Sequence, residues 1–355
     1  MKIGYIAHLP GALPDDGVVK KIKSQTMTWS EFGHDVKIWV SSRTPELTRS
    51  FTNLGKINTR INIYDRYYDL LFSQSDLHLD IGNWNPDIIY TRTNMLMPYH
   101  VLMPHKIKLV FEVNSDHHHF LERKETIRMK IYSFFTQKYF FKRCNAIVFM
   151  TYELSDRYSY MKKKSCVIPN GILINSNNNR PPPLNQKPKL IFISTDMSAW
   201  HGIDKIITMA IAIPEFEFHL IGGFQFDNVT NLPTNIHIHG YLNKVDYEKI
   251  IEESDVAIGT LALHRKNMNE ACALKVREYL AHGLPVILAN QDTDFPKGSS
   301  FLLQISNNEN NIIPNLDKIK NFVYQWQGKR VPLNDISHLD YRNKEIARLN
   351  FFSEL

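Results

Sequence analysis

Apolar runs of strand length alternate with helical patterns along nearly the whole chain, and that alternation leaves few folds open. In the first half the runs span 2–7, 36–40, 88–91, 108–113, 146–150 and 166–168. A helical pattern over 18–32 follows the first of them and stops at Gly33, where a left-handed residue is wanted, before the second begins. Strand, loop, helix and strand at this spacing specify a doubly wound parallel sheet. The pattern breaks at 173–188, where Asn and Pro dominate in L-I-N-S-N-N-N-R-P-P-P-L-N-Q-K-P. Such a stretch reads as an interdomain linker. Beyond it the alternation restarts with strands at 190–194, 217–221, 236–239, 256–258 and 284–289 and helices at 203–213 and 245–253. A chain of 355 residues is long for one core, so two domains are expected, 1–172 and 189–335. A terminal helix at 336–355 follows, with Ile346, Leu349 and Phe352 at helical spacing to dock it back on the first domain.

Hydrophobic residues at 43% and charged residues at 22% describe an ordinary globular chain. A net charge of +6 permits a nucleotide, a nucleic acid or an acidic membrane surface as partner and does not choose among them. The three cysteines, Cys144, Cys166 and Cys272, are scattered without metal-ligand spacing, which fits a reduced, cytoplasmic compartment. The opening apolar stretch is too short for a signal peptide, and no window offers the ~18 uninterrupted apolar residues of a membrane span. Membrane contact is therefore expected only at the periphery. The segment 123–143 mixes aromatics with Lys124, Arg128, Lys130, Lys138, Lys142 and Arg143. It is suited to an anionic bilayer, although packing of its aromatics against the sheet is the more ordinary reading.

The chemistry concentrates at 269–289, N-E-A-C-A-L-K-V-R-E-Y-L-A-H-G-L-P-V-I-L-A, where seven residues separate Glu270 from Glu278. On a helix, positions eight apart lie roughly 12 Å apart along the axis and about 80° apart around it. Two carboxylates so placed reach different parts of one elongated ligand. A helix start between them offers unpaired N–H groups to a phosphate, with Lys275 adding a cation. Taken alone, each glutamate also fits a plainer role, as a helix-dipole partner or a solvated charge. Gly17, at a helix start, would let a backbone N–H approach a phosphate or would simply form the turn; no G-x-G-x-x-G accompanies it.

These residues stand in an ordered set: E-F-G-H-D-V at 31–36, P-D-I-I-Y-T-R at 86–92, V-I-P-N-G-I at 167–172, W-H-G-I-D at 200–204, G-Y-L at 240–242, S-D-V-A-I-G at 254–259, then the double-acid stretch. In that order the sequence resembles the retaining GT-B glycosyltransferases of family 4. The resemblance implies an α/β protein of two facing Rossmann-like domains with a cleft between them, the acceptor held by the first and a nucleotide sugar by the second. Carried over by position, it implies that Glu270 binds hydroxyls of the donor sugar and Glu278 those of the ribose. The N–H groups near Ala273 and Leu274, with Lys275, would hold the diphosphate. No metal or other cofactor is implied.

Two departures from the family pattern bear on the site. Where many members carry an Arg and a Lys after the first strand of the second domain, this chain reads S-T-D-M-S-A-W-H-G, with His201 near the expected Lys. The phosphate clamp is then expected to lean on Lys275, Arg265 or Lys266. Where many members carry a catalytic-site His, this chain has Asn114, with His118 flanked by His117 and His119 just beyond. Adjacent histidines rarely share one metal geometry, so no metal is expected there. The D-T-D at 292–294 is expected to be a surface turn. The reading that follows is a hexosyltransferase acting on a glycan or lipid-linked acceptor in polysaccharide or glycolipid synthesis, without nucleic acid as partner. A non-catalytic nucleotide-sugar-binding subunit and a nucleotide-sugar epimerase are the alternatives.

Overall fold

The computed structural model describes the chain except residues 15, 53, 66–75, 93–95, 117–126, 175–179, 196 and 225–231, and at 127–130, 133 and 134 it describes the backbone alone. Two compact units result: Met1–Pro169 with Tyr341–Leu355, and Asn170–Asp340. No helix among the described residues is long and apolar enough to cross a membrane.

The first unit holds β1 (Lys2–Leu9), β2 (Asp35–Ser42), β3 (Asn58–Ile63), β4 (Ile88–Thr91), β5 (Lys108–Val113), β6 (Ala146–Phe149) and β7 (Lys164–Val167). They pair in the order β3-β2-β1-β4-β5-β6-β7, every pair parallel. Both faces of β1, β4 and β6 are buried, as the near-continuous apolar runs of a covered parallel sheet require. Helix Gly17–Glu31 buries Val19, Ile22 and Trp29, and helix Tyr341–Ser353 packs against it. That terminal helix does not dock by the expected positions alone. Leu349 and Phe352 are buried, but Ile346 is exposed, and Glu345, Arg348 and Phe351 go inside in its place. Two of the five are charged, so apolar periodicity misplaces the inner face.

The charges go inside because they meet partners. Glu112 on β5 accepts from Lys21 Nζ at 2.7 Å and from the Tyr90 hydroxyl at 2.5 Å, with Arg92 Nε at 3.1 Å and an Arg348 nitrogen at 3.7 Å. Glu345 forms an ion pair with Arg348 and accepts from the Trp29 indole at 2.7 Å. Burial alone would raise the Glu112 carboxyl; Lys21, Arg92 and Arg348 outweigh it and hold the acid below the usual carboxylate range.

One buried histidine, His100, and one half-buried, His8, make the stability of this unit sensitive to acid. Burial, with Arg43 nearby, lowers His8 to about 4, and burial with Arg143 nearby lowers His100 to about 3. Both are neutral when folded and free to protonate near 6.5 when unfolded, so the unfolded state binds more protons in that window. Stability should therefore hold above pH 6.5 and decline as the pH falls toward 4. The decline is roughly 1.4 kcal/mol per pH unit for each histidine. Denaturant midpoints recorded across that range test this, and His100→Gln should flatten the slope.

The second unit holds β8 (Lys189–Ser194), β9 (Glu217–Gly222), β10 (Ile236–Gly240), β11 (Val256–Ile258), β13 (Val286–Leu288) and β15 (Leu302–Gln304), in the order β10-β9-β8-β11-β13-β15. A separate parallel pair joins β12 (Glu270–Ala271) to β14 (Gln291–Asp292). Neighbouring strand residues alternate between two cores, one face of the sheet to each. Leu190, Phe192, Phe218 and Leu220 pack with helices Ile203–Ala212 and Leu316–Trp326; Ile191, Ile221, Ala257 and Leu288 pack with helix Leu274–Ala281 and with Ile336 and Leu339.

Candidate active site

Counted from β8, the second sheet has the order 3-2-1-4-5-6, so its topological switch point lies between β8 and β11. In an open parallel sheet, ligands bind outside the carboxyl ends of the strands at that point. Four chain segments meet there. β8 ends at Ser194 and leads to the 3-10 turn Ala199–His201; β11 leads to the 3-10 turn Leu263–Lys266; β12 carries Glu270; helix Leu274–Ala281 begins beside them. Gly202 joins the first turn to the next helix at φ +77°, and a Cβ there would stand 2.9 Å from that of Leu261, so the W-H-G sequence lets the two turns close on each other. At the end of β9, Gly222 has φ +132° and a Cβ would overlap the Ser194 carbonyl oxygen. Only glycine allows that approach.

Lys275 is the central cation. Its ammonium lies 3.2 Å from His201 Nδ1 and 4.0 Å from the centre of the Phe192 ring. An ammonium can only donate, so Nδ1 accepts and the imidazole is neutral, with its proton on Nε2. His201 is itself buried and lies against Trp200, ring centres 3.6 Å apart. Lys266 sits over the other part of this platform, 3.7 Å from the centre of the Trp200 ring. Helix Leu274–Ala281 starts at Ala273, an N-cap without a side-chain cap, so its first N–H groups are not satisfied by a capping oxygen. Glu270 is buried on β12 just before that start. Glu278 lies one and a half turns further, half-buried, where the Tyr247 hydroxyl donates to Oε1 at 2.8 Å. An ionised carboxylate so bonded retains acceptor capacity for a further hydroxyl.

Arg265 is placed differently from Lys275 and Lys266. Its guanidinium donates to both oxygens of Asp204 at 2.7 and 2.8 Å, to both oxygens of Glu309 at 2.7 and 2.9 Å, and to the Ala199 carbonyl at 2.9 Å. Those five bonds use all five donors of the group. In this arrangement Arg265 braces the two 3-10 turns and has no N–H left for a phosphate.

Of the remaining sequence candidates, Gly17 opens helix Gly17–Glu31 of the first unit and is exposed. Asn114 follows β5 in the same unit, and its amide donates to the Glu112 carbonyl at 3.3 Å. His117, His118 and His119 lie outside the described residues. Missed in the sequence are Tyr247 and the Phe192–Trp200 platform, since an aromatic at a strand end or in a helix reads as core.

The sequence profile of Glycosyltransferase Family 4 matches residues 16–175, somewhat under half of the 355 residues. No curated protein sequence matches the chain. Among solved structures, a glycosyltransferase from Rickettsia africae is similar at TM-score 0.69 and 14% identity, covering 99% of this chain and 98% of its own. The lipopolysaccharide outer core galactosyltransferase WaaB is similar at TM-score 0.71 and 11% identity, with 100% of both chains covered. Anabaena HepE, solved with UDP and glucose, is similar at TM-score 0.64 and 14% identity, covering 99% of this chain and 100% of its own.

The fold is GT-B.

The D-T-D at 292–294 is not a surface turn. Arg277, fully buried in the double-acid helix, donates to both oxygens of Asp292 at 2.7 and 2.8 Å and to Asp294 at 2.8 Å. It also donates to the Asn170 carbonyl at 3.0 Å. A buried guanidinium needs such carboxylates, and they anchor the helix that presents Lys275.

Proposed function

We propose that the chain is a retaining glycosyltransferase that moves a hexosyl group from a nucleoside-diphosphate sugar to a glycan or lipid-linked acceptor. The observation that carries this reading is the placement of Lys275 and an uncapped helix start between Glu270 and Glu278, at the switch point of a GT-B sheet. In the proposed complex the diphosphate lies against the N–H groups near Ala273 and Leu274 and the Lys275 ammonium. His201 Nε2–H and Lys266 border it. Glu270 takes sugar hydroxyls and Glu278 the ribose. Departure of the sugar leaves growing charge on the diphosphate, and donors already aimed there stabilise the transition state more than the ground state. The nucleotide sugar is the donor substrate and no cofactor is invoked. HepE, solved with UDP and glucose, and WaaB, a galactosyltransferase of the lipopolysaccharide outer core, support a uridine-diphosphate hexose as the first donor to try.

The test is nucleotide release from a panel of UDP-, GDP- and ADP-sugars, with and without glycan and lipid-linked acceptors. Acceptor-dependent release is expected, and the anomeric configuration of the product reports retention. Turnover at wild-type level by Glu270→Ala or Glu278→Ala would remove the site assignment. Two other readings have observations behind them. The UDP-N-acetylglucosamine 2-epimerase from Neisseria meningitidis is similar in structure at a TM-score of 0.57, so conversion of donor without acceptor would point to epimerisation. The neutral His201 and saturated Arg265 leave a sparse clamp, so tight nucleotide binding without transfer would point to a binding subunit.

We also propose a cytoplasmic protein resting on an anionic membrane face. Helix Ile127–Arg143 buries Phe140 and Phe141 but exposes Ile131, Phe135 and Tyr139 at four-residue spacing, next to exposed Lys138 and Lys142. An apolar stripe beside lysines suits an interfacial helix. Co-sedimentation with vesicles containing phosphatidylglycerol should exceed that with phosphatidylcholine alone. The double variant Phe135→Ser with Tyr139→Ser should lower it about tenfold or more, at a cost of ~1.4 kcal/mol per tenfold. Equal binding by the variant would sink the idea.

A further inference from the structure

Away from the carboxyl ends of the second sheet, its edge carries an imidazole cluster that the donor site does not use. Glu217 and His219 alternate on β9 and His237 pairs with His219 from β10, so these three share one face; past the register irregularity at 238–240, His239 joins them through its ring contact with His219. His237 stands directly across from His219 in the register of the two strands. The intervening Phe218 and Leu220 point the other way, into the core. Side-chain ligand atoms of Glu217, His219 and His237 lie within 4.8 Å of one another, the one such gathering of three among the described residues.

From this geometry we propose that Glu217, His219 and His237 bind a divalent transition-metal ion of the zinc class, with His239 as a positioning residue. His219 supplies the most specific sign. Its Nδ1 lies 3.0 Å from His239 Nε2, while its Nε2 is buried without a hydrogen-bond partner, 3.8 Å from Glu217 Oε2. A proton on Nδ1, donated to His239, leaves the Nε2 lone pair facing the carboxylate. Metal-bound histidines are held in this way, one nitrogen on the ion and the other donating to an orienting group. Lys189, opposite Glu217 in the strand register, is paired with Glu253 at 3.7 Å and leaves the carboxylate to the ion.

Nitrogen and oxygen ligands about 2.0–2.1 Å from a tetrahedral ion stand roughly 3.3 Å apart, so the three groups must draw together. Glu217, whose side chain is 30% exposed, and the two imidazoles, whose ring centres lie 4.9 Å apart, must all turn about their side-chain bonds to reach that spacing. Two imidazoles and a carboxylate suit zinc, nickel or copper and leave the fourth position to water. Because the ligands come from both strands, the ion would pin the edge strand β10 to β9.

The experiment uses the full-length, untagged chain, stripped of metal with a chelator and titrated with zinc chloride by calorimetry, with cobalt chloride absorption as a report of geometry. One zinc per chain is expected, with a rise in thermal midpoint. His237→Ala and Glu217→Gln should each weaken binding at least tenfold. His239→Ala should weaken it ~10–100-fold while the cobalt spectrum remains that of a nitrogen- and oxygen-bound ion. The triple change of His117, His118 and His119 to Ala should leave the affinity unchanged. Absence of zinc binding, or binding that survives His219→Ala combined with His237→Ala, would overturn the proposal. If that pair does not fold, retained affinity in both His237→Ala and Glu217→Gln, checked for fold by circular dichroism, would overturn it equally. Binding lost in the 117–119 variant would do so too, by placing the ion elsewhere.

Discussion

Replacing Lys275 by Ala is expected to lower the turnover of nucleotide sugar about 10²–10³-fold, or roughly 2.7–4 kcal/mol of transition-state stabilisation. The size of the effect follows from how few cations face the proposed diphosphate. Arg265 is saturated by Asp204, Glu309 and a carbonyl, His201 is neutral, and Lys266 lies over Trp200. Lys275 itself is held by the Phe192 ring and by His201 Nδ1, so its position is fixed before ligand arrives. His201→Ala should cost less, because it removes an orienting acceptor and one neutral donor. Nucleotide release measured at saturating and limiting donor separates the two outcomes. A loss below fivefold for Lys275→Ala would mean that the charge is neutralised elsewhere.

The second large effect concerns stability. Glu112→Gln should destabilise the first unit by about 3–5 kcal/mol, since it leaves Lys21, Arg92 and Arg348 around a neutral group in a buried site. Denaturant titration followed by tryptophan fluorescence, which samples Trp29, Trp39 and Trp84 in the first unit and Trp200 and Trp326 in the second, would record it as an earlier first transition, while the second unit's transition stays in place. The acid response separates this hub from the histidines. A carboxylate whose folded pKa is depressed contributes stability above its unfolded value of about 4.3, lost only as the pH falls through the lower folded value. The hub therefore survives the mild acid that already protonates His8 and His100 in the unfolded chain. An unchanged midpoint in Glu112→Gln would show that the charges are solvated or rearranged.

Much of this architecture is visible in the residues because parallel strands buried on both faces are written as bare apolar runs. β1, β4, β5, β6, β8 and β11 can all be found that way. β3, with Asn58, Thr59, Arg60 and Asn62, is an edge strand with polar alternation, and β15 has three residues; neither stands out. The terminal helix shows the other limit. Its contacts depend on Glu345 and Arg348 meeting Trp29 and Glu112, and no local pattern announces that two charges will be interior. The same holds at Asp292 and Asp294, whose partner Arg277 lies within the preceding helix and reads from sequence as surface charge. In the candidate site, Glu270, Lys275 and Glu278 are marked by spacing. Tyr247 and Trp200 are not, because only folding brings them to the acids and lysines.

The placement of helix Tyr341–Ser353 in the first unit has a consequence for how the chain is made. Glu345 meets Trp29 across 316 residues, and Arg348 closes on Tyr90 and Glu112. Synthesis from the amino end delivers all of Asn170–Asp340 before those contacts exist. The unit that is begun first is thus completed last, with Lys21, Trp29 and Glu112 waiting for their partners while the later unit closes on itself. Such long-range closure is slow and leaves an incomplete core exposed in the interval. Nascent chains cut short of 341 should accordingly be the ones that chaperones hold.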